Sequence, residues 1–201
     1  MKTLYHPLSR EAINQQSIVL RNSEDRAFAM LEFCTERYGD SLSEKTFLDI
    51  GPCYGYFLNE FSKHCAEVKG IENGAYEWKT IQIFYPNIID SVEKADFTKR
   101  IDYIEQYDIV ALMSIMHLLI MDDEERAVEM LKKVDNRTKD TMFFDMAQEG
   151  EDRYYKDMEG WNEETIQSWL LDNTTFDVCQ PLMKDKDPLF GRTLFACYRE
   201  Q

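Results

Sequence analysis

Apolar positions along the chain show two textures. Up to about residue 40 they recur at helical spacing. After Ser23, the residues Ala27, Met30, Leu31 and Cys34 share one face, and Glu24 and Asp25 fall in the first turn, which predicts a helix capped by Ser23. The first forty residues read as helices with no internal strand, ending near Tyr38-Gly39-Asp40. Beyond that point short apolar runs alternate with amphipathic stretches, the pattern of a parallel sheet with crossover helices. Strands are predicted at Thr46 to Ile50, Glu67 to Ile71, Ile88 to Val92, Tyr107 to Met113 and Thr141 to Met146. Between them, Tyr56 to Cys65 carries Phe57, Leu58, Phe61 and Cys65 on one helical face. Ala127, Met130, Leu131 and Val134 have the i, i+3, i+4, i+7 spacing of another core-facing helix. Asp122 and Glu125 open the latter as an acidic capping box. The run Asp122-Asp123-Glu124-Glu125 is accounted for by the unmet N–H groups of a first turn, without a metal. A helix from about Asn162 to Leu171 precedes two runs, Thr175 to Gln180 and Thr193 to Tyr198. The loop between them contains Pro181, Pro188 and Gly191, so they read as an antiparallel hairpin closing the sheet edge.

Length and composition narrow the class. The 201 residues suit one domain, 1–201, with a helical lid or arm over 1–40 and an α/β core over 46–201. A formal charge of -15 disfavours a nucleic acid partner, whose phosphates are held by Lys and Arg. Lys132, Lys133, Arg137 and Lys139 do cluster, at a place where cations complement the negative end of a helix. Cys34, Cys53, Cys65, Cys179 and Cys197 are odd in number and lack C-x-x-C spacing, which implies reduced, mostly buried thiols. Met1 to Glu11 has no apolar signal core, and the most apolar run, Ile109 to Met121, is too short to cross a bilayer. The expectation is a cytoplasmic protein without a membrane span.

Four stretches carry candidate chemistry. In Phe47-Leu48-Asp49-Ile50-Gly51-Pro52-Cys53-Tyr54-Gly55-Tyr56-Phe57 a strand passes through a two-glycine turn into a helix, so a ligand can approach the backbone at the strand's carboxyl end. Cys53 occupies the middle glycine position of G-x-G-x-x-G, which argues against a pyrophosphate-binding turn and so against a nicotinamide-dependent oxidoreductase. Asp49 adds negative charge that suits a ligand bearing an ammonium group. In Val68-Lys69-Gly70-Ile71-Glu72-Asn73 a strand ends in an acid placed to accept hydrogen bonds from ribose hydroxyls. In Ala95-Asp96-Phe97 a carboxylate and an aromatic ring either meet an adenine or serve as helix cap and core. Finally Tyr107 to His117 runs from a buried strand into polar residues, where His117 either orients a substrate and takes its proton or is structural.

Together, from Thr46 to Gln148, these elements resemble the motif series of class I S-adenosylmethionine-dependent methyltransferases. The resemblance implies an α/β, Rossmann-like, seven-stranded, mostly parallel sheet in the order 3-2-1-4-5-7-6. The last hairpin would be antiparallel, with helices on both faces and an N-terminal helical extension. It implies S-adenosylmethionine as methyl donor and S-adenosylhomocysteine as product. By carry-over Asp49, Gly51, Pro52, Cys53, Tyr54 and Gly55 would lie against the methionine part, and Glu72 and Asn73 at the ribose. Asp96 and Phe97 would meet adenine, and Met113 and Ser114 would flank the cofactor. Many family members have glycine where this chain has Cys53. The Gly55-Tyr56-Phe57 step, the Met113 to His117 stretch and Phe144-Asp145-Met146-Ala147 are similar to the sugar- or polysaccharide-modifying members, which implies a small-molecule or saccharide acceptor. Tyr154, Tyr155 and Trp161 fall where such members recognise substrate. Arg21 and Arg26 either pair with the cofactor carboxylate or decorate a solvated helix face. A catalytically silent module that binds the same cofactor is the other alternative.

Overall fold

The computed structural model describes residues 3–4, 18–19, 23–151, 157–184 and 191–200. The chain forms two compact units, residues 1–100 and 101–201.

In the first unit two short strands, β1 (Thr3–Leu4) and β2 (Ile18–Val19), pair in parallel. This corrects the expectation that the first forty residues contain no strand. A two-residue ladder lies below what periodicity can reveal, because its partner sits a crossover away in sequence. The helix Ser23–Tyr38 starts where predicted and buries Ala27, Met30 and Cys34. Arg26 is also buried, at 1% exposure, so the solvated-face assignment for that residue is corrected.

Strand β3 (Thr46–Ile50) pairs in parallel with β4 (Glu67–Glu72), in a register that sets Asp49 opposite Gly70. The intervening helix is Tyr56–Phe61, shorter than predicted. His64 and Cys65 both bond back to the Phe61 carbonyl in a closing turn, so Cys65 lies beyond the helix and is half-buried. After the helix Ala75–Phe84, strand β5 is Val92–Lys94 rather than Ile88 to Val92. Ile88 is buried from a turn, with its N–H on the Tyr85 carbonyl and its own carbonyl on Ser91 N–H. The apolar run there marks burial and not extended backbone.

In the second unit β6 (Tyr107–Met113) pairs in parallel with β7 (Thr138–Asp145). Strand β7 begins three residues earlier than the Thr141 predicted, because a register shift between Tyr107 and Ile109 admits the extra residues. Between them lie the helices Met116–Asp122 and Glu124–Asp135. The second is capped by Asp123, whose carboxylate accepts from the Arg126 N–H at 3.1 Å. That places the cap one residue after the predicted Asp122, whose own carboxylate pairs with the Arg126 guanidinium. Ala127, Met130, Leu131 and Val134 are buried as the spacing required.

The helix Glu163–Asn173, capped by Asn162, leads into β8 (Val178–Lys184), antiparallel to β9 (Thr193–Tyr198). Strand β8 is shifted from the predicted Thr175 to Gln180. The Thr175 N–H and hydroxyl are held by the Asp135 carboxylate, which withdraws that residue from the ladder. Pro181 sits inside β8, not in the loop. An edge strand with one partner tolerates its missing N–H, and the register slips between Pro181 and Met183. Cys179 and Cys197 face each other across this pair and are joined as a disulfide, so the expectation of five reduced thiols is corrected. Their pairing depends on the register of two strands and has no signature in their spacing.

The seven strands of the main sheet run β5-β4-β3-β6-β7-β9-β8. Counted from β3, this is the order 3-2-1-4-5-7-6 with an antiparallel final hairpin, and helices flank it. Among the described residues no helix is long and apolar enough to cross a membrane.

Candidate functional site

The bend after β3 takes its shape from residues in the left-handed region. Gly51 lies at φ +70°, Cys53 at +54° and Gly55 at +81°. Glycine accepts this conformation without penalty; an L-residue such as Cys53 pays for it sterically, by roughly 1–2 kcal/mol. A Cβ on Gly55 would also stand 3.1 Å from Ile81 Cγ1 and 3.4 Å from a Tyr85 ring carbon, so this position is doubly restricted. The Gly51 N–H donates to the Ile71 carbonyl at 2.9 Å, extending the β3–β4 pairing by one step. The Gly55 N–H closes the bend on the Pro52 carbonyl at 2.8 Å.

Glu72, at the tip of β4, ties this bend to the next loop. Its Oε2 accepts from the Cys53 N–H at 2.8 Å and its Oε1 from the Gly74 N–H at 2.6 Å. Pro52 is buried against Gly70, where an added Cβ would meet the Pro52 Cγ at 3.2 Å. Tyr54 packs edge-to-face on Tyr76 with ring centroids 6.3 Å apart, and burial pushes its phenol up to about 12. Asn73 is exposed beside Glu72.

Asp49 is 1% exposed, and its Oδ2 has no hydrogen-bond partner among the described residues. Burial first, and the neighbouring Glu72 charge second, push its carboxyl up to about 8. Glu72 is itself raised by burial, against the pull of the N–H groups of Gly74 and Cys53. Burial likewise pushes the Cys53 thiol up, so it stays protonated and is a poor nucleophile. A buried acid with an unsatisfied oxygen, next to a second acid, fits a ligand that brings positive charge. S-adenosylmethionine carries a sulfonium and an ammonium, so these residues fit the group that the motif series implied.

At the end of β5, Asp96 caps the short helix Phe97–Arg100. Its Oδ1 accepts from the Thr98 N–H at 3.0 Å and from the Thr98 hydroxyl at 2.8 Å. Of the two roles open for Asp96, capping is therefore in place. Phe97 is half-buried as the first residue of that helix.

In the second unit Met113 ends β6, buried, opposite Asp145. Ser114 follows at φ +61°. Its N–H donates to the Asp145 carbonyl at 3.0 Å and its hydroxyl to Asp145 Oδ1 at 2.7 Å. His117 is 2% exposed in the first turn of the helix Met116–Asp122. Trp161 packs edge-to-face on Trp169 at 5.5 Å and accepts the Glu149 N–H at its carbonyl. Arg21, Tyr154 and Tyr155 lie outside the described residues.

Two features escaped the sequence. Asp145, fully buried, anchors Ser114 through side chain and backbone; the sequence marked it only as part of the Phe144-Asp145-Met146-Ala147 strand end, with no sign of this contact. Glu151 and Arg192 form a buried bidentate pair, Nε to Oε1 at 2.6 Å and Nη2 to Oε2 at 2.9 Å, while Glu151 also accepts the Gln148 N–H. Forty-one residues separate the pair, and no local pattern links them.

Solved structures of similar fold include methyltransferases. The bifunctional kinase-methyltransferase WbdD superposes with a TM-score of 0.76 over 99% of this chain at 14% identity. The chain has the class I methyltransferase fold. It spans 44% of the WbdD chain, so less than half of that protein has a counterpart here. The N-methyltransferase NodS from Bradyrhizobium japonicum WM9, in complex with S-adenosyl-L-homocysteine, matches 89% of this chain and 87% of its own, with a TM-score of 0.67 and 14% identity. Magnesium protoporphyrin IX methyltransferase (ChlM) from Synechocystis PCC 6803, with bound SAM, matches 88% of this chain and 79% of its own, with a TM-score of 0.65 and 12% identity. No protein-family model and no curated protein matches the chain.

Proposed function

We propose that residues 1–201 act as a single S-adenosylmethionine-dependent methyltransferase domain that transfers a methyl group to a small-molecule or saccharide acceptor. One observation carries this reading: Glu72 grips the glycine bend while Asp49 offers a buried, unsatisfied acid at the same place. The donor supplies an electrophilic methyl group on sulfur, attacked in line by the acceptor. The residues here mainly have to hold two partners at attack distance.

In this proposal Gly51, Pro52, Cys53, Tyr54 and Gly55 support the methionine part of the donor, and Asp49 answers its positive charge. Glu72, whose oxygens accept two backbone N–H bonds in this structure, turns toward the ribose hydroxyls with Asn73 beside it. Asp96, while capping its helix, and Phe97 contribute at the adenine. Met113 and Ser114 flank the donor, and Arg21 is assigned to its carboxylate. His117, Tyr154, Tyr155 and Trp161 are assigned to the acceptor, with His117 as the group that orients it or takes its proton. A cytoplasmic setting is part of the proposal and rests on the three thiols outside the disulfide, Cys34, Cys53 and Cys65; the Cys179–Cys197 bond is the observation that opposes it.

The test is a thermal melt of the full chain with S-adenosylhomocysteine and, in parallel, with NAD. At about 100 times the Kd, a ligand of the native state adds about 2.7 kcal/mol, or about 5–10 °C for a domain of this size. The expected outcome is a shift of that order with S-adenosylhomocysteine and none with NAD. A shift with NAD alone would reverse the assignment.

A further inference from the structure

We propose that Asp49 binds ligand by exchange of charge: it holds a proton in the empty protein and releases it when the cationic part of the methyl donor docks. This rests on the methyltransferase reading and goes beyond it, because it couples docking of the ligand's charge to the release of a proton from Asp49.

The geometry supports this exchange in three ways. Asp49 is 1% exposed, so an ionised carboxylate there would sit largely without water. Its Oδ2 has no hydrogen-bond partner, so among the described residues no donor compensates a negative charge on that oxygen. The charged group that bears on it is another acid, Glu72 of the adjacent strand, and Glu77 from the helix Ala75–Phe84 acts in the same sense on Glu72 and on the Cys53 thiol. Glu72 is held by the Cys53 and Gly74 N–H groups, which favour its charged form, so of the two acids Asp49 is the one to hold a proton. The result is a neutral acid at the strand tip whose ionisation needs an incoming cation.

In atoms, the Asp49 carboxyl O–H bond breaks and its proton passes to solvent. The electron pair stays on the carboxylate, which then faces the positive group of the ligand. With the carboxyl titrating near 8, ligand uptake at pH 7 expels about 0.9 proton, and affinity rises about tenfold between pH 6 and pH 7.

Isothermal titration in a series of buffers with different ionisation enthalpies reads the protons released. Three ligands separate the possible cations: S-adenosylmethionine with sulfonium and ammonium, S-adenosylhomocysteine with ammonium alone, and methylthioadenosine with neither. The expected result is near-unit proton release with the first, and none with methylthioadenosine. Release shared by S-adenosylhomocysteine assigns the ammonium; release confined to S-adenosylmethionine assigns the sulfonium. In Asp49→Asn, an isosteric copy of the protonated acid, release should vanish and the pH dependence of affinity should flatten. Should Asp49→Asn fail to fold, the wild-type buffer series decides alone. Clear binding heat without proton release, equal release with methylthioadenosine, or undiminished release in Asp49→Asn overturns the proposal while leaving the methyltransferase reading intact. Absence of binding by all three ligands removes both.

Discussion

Asp49 and Glu72 belong to neighbouring strands and share one environment, yet they meet it differently. Glu72 is held by two backbone N–H donors, whereas Asp49 keeps one oxygen without a partner among the described residues. The pH dependence of stability follows from that difference. Folding raises the Asp49 carboxyl from 3.8 to about 8, so the native state binds more protons than the unfolded state between those values. The contribution of this group to stability is complete below about pH 4 and is lost as pH rises through about 8. Melting the empty protein across that window should show a steeper decline for wild type than for Asp49→Asn. Parallel curves for the two proteins would mean that Asp49 is ionised throughout. Both acids were legible in the sequence, because Asp49 lies one residue before the end of β3 and Glu72 ends β4, each with a glycine two residues further on. What their spacing could not reveal is that Glu72 reaches Cys53 N–H, or that Cys53 adopts a left-handed φ; both depend on the β3–β4 register.

At the scale of elements, periodicity located most helices and strands but misjudged segments whose burial or hydrogen bonding is set from a distance. Ile88 is buried from a turn, Thr175 is captured by Asp135, and Pro181 is accepted because β8 is an edge. The Glu151–Arg192 pair is the energetic counterpart of these long-range effects. It links the segment after β7 to the residue preceding β9, with both side chains at 2% exposure or less. Replacing Arg192 by Met strands a buried carboxylate and should destabilise the protein by about 3–5 kcal/mol. The double change Glu151→Gln with Arg192→Met should recover much of that loss. Chemical denaturation of Arg192→Met, Glu151→Gln and the double variant measures the coupling, and additive losses would show that the two side chains act independently.

For the whole molecule, the charge of -15 sets the response to salt. Self-repulsion destabilises a compact state of high net charge, and raising ionic strength from about 0.01 M to about 0.15 M shortens the screening length from about 30 Å to about 8 Å. The melting temperature should therefore rise over that range; a fall would mean that attractive surface pairs outweigh the repulsion. By itself the sequence determined this charge, the alternation of strand and helix, and the acid-bearing strand tips with their glycine bend. Those properties are local or additive, carried by residues that stand close together in the chain. The resemblance carried by those motifs also implied the strand order that the sheet has. Only the tertiary structure decided the Cys179–Cys197 bond, the burial of Arg26, the Ser114–Asp145 contact and the Asp49 oxygen left without a partner among the described residues. Each depends on which distant segments lie side by side and on how much water that leaves between them, and hydrophobic spacing along a chain encodes neither.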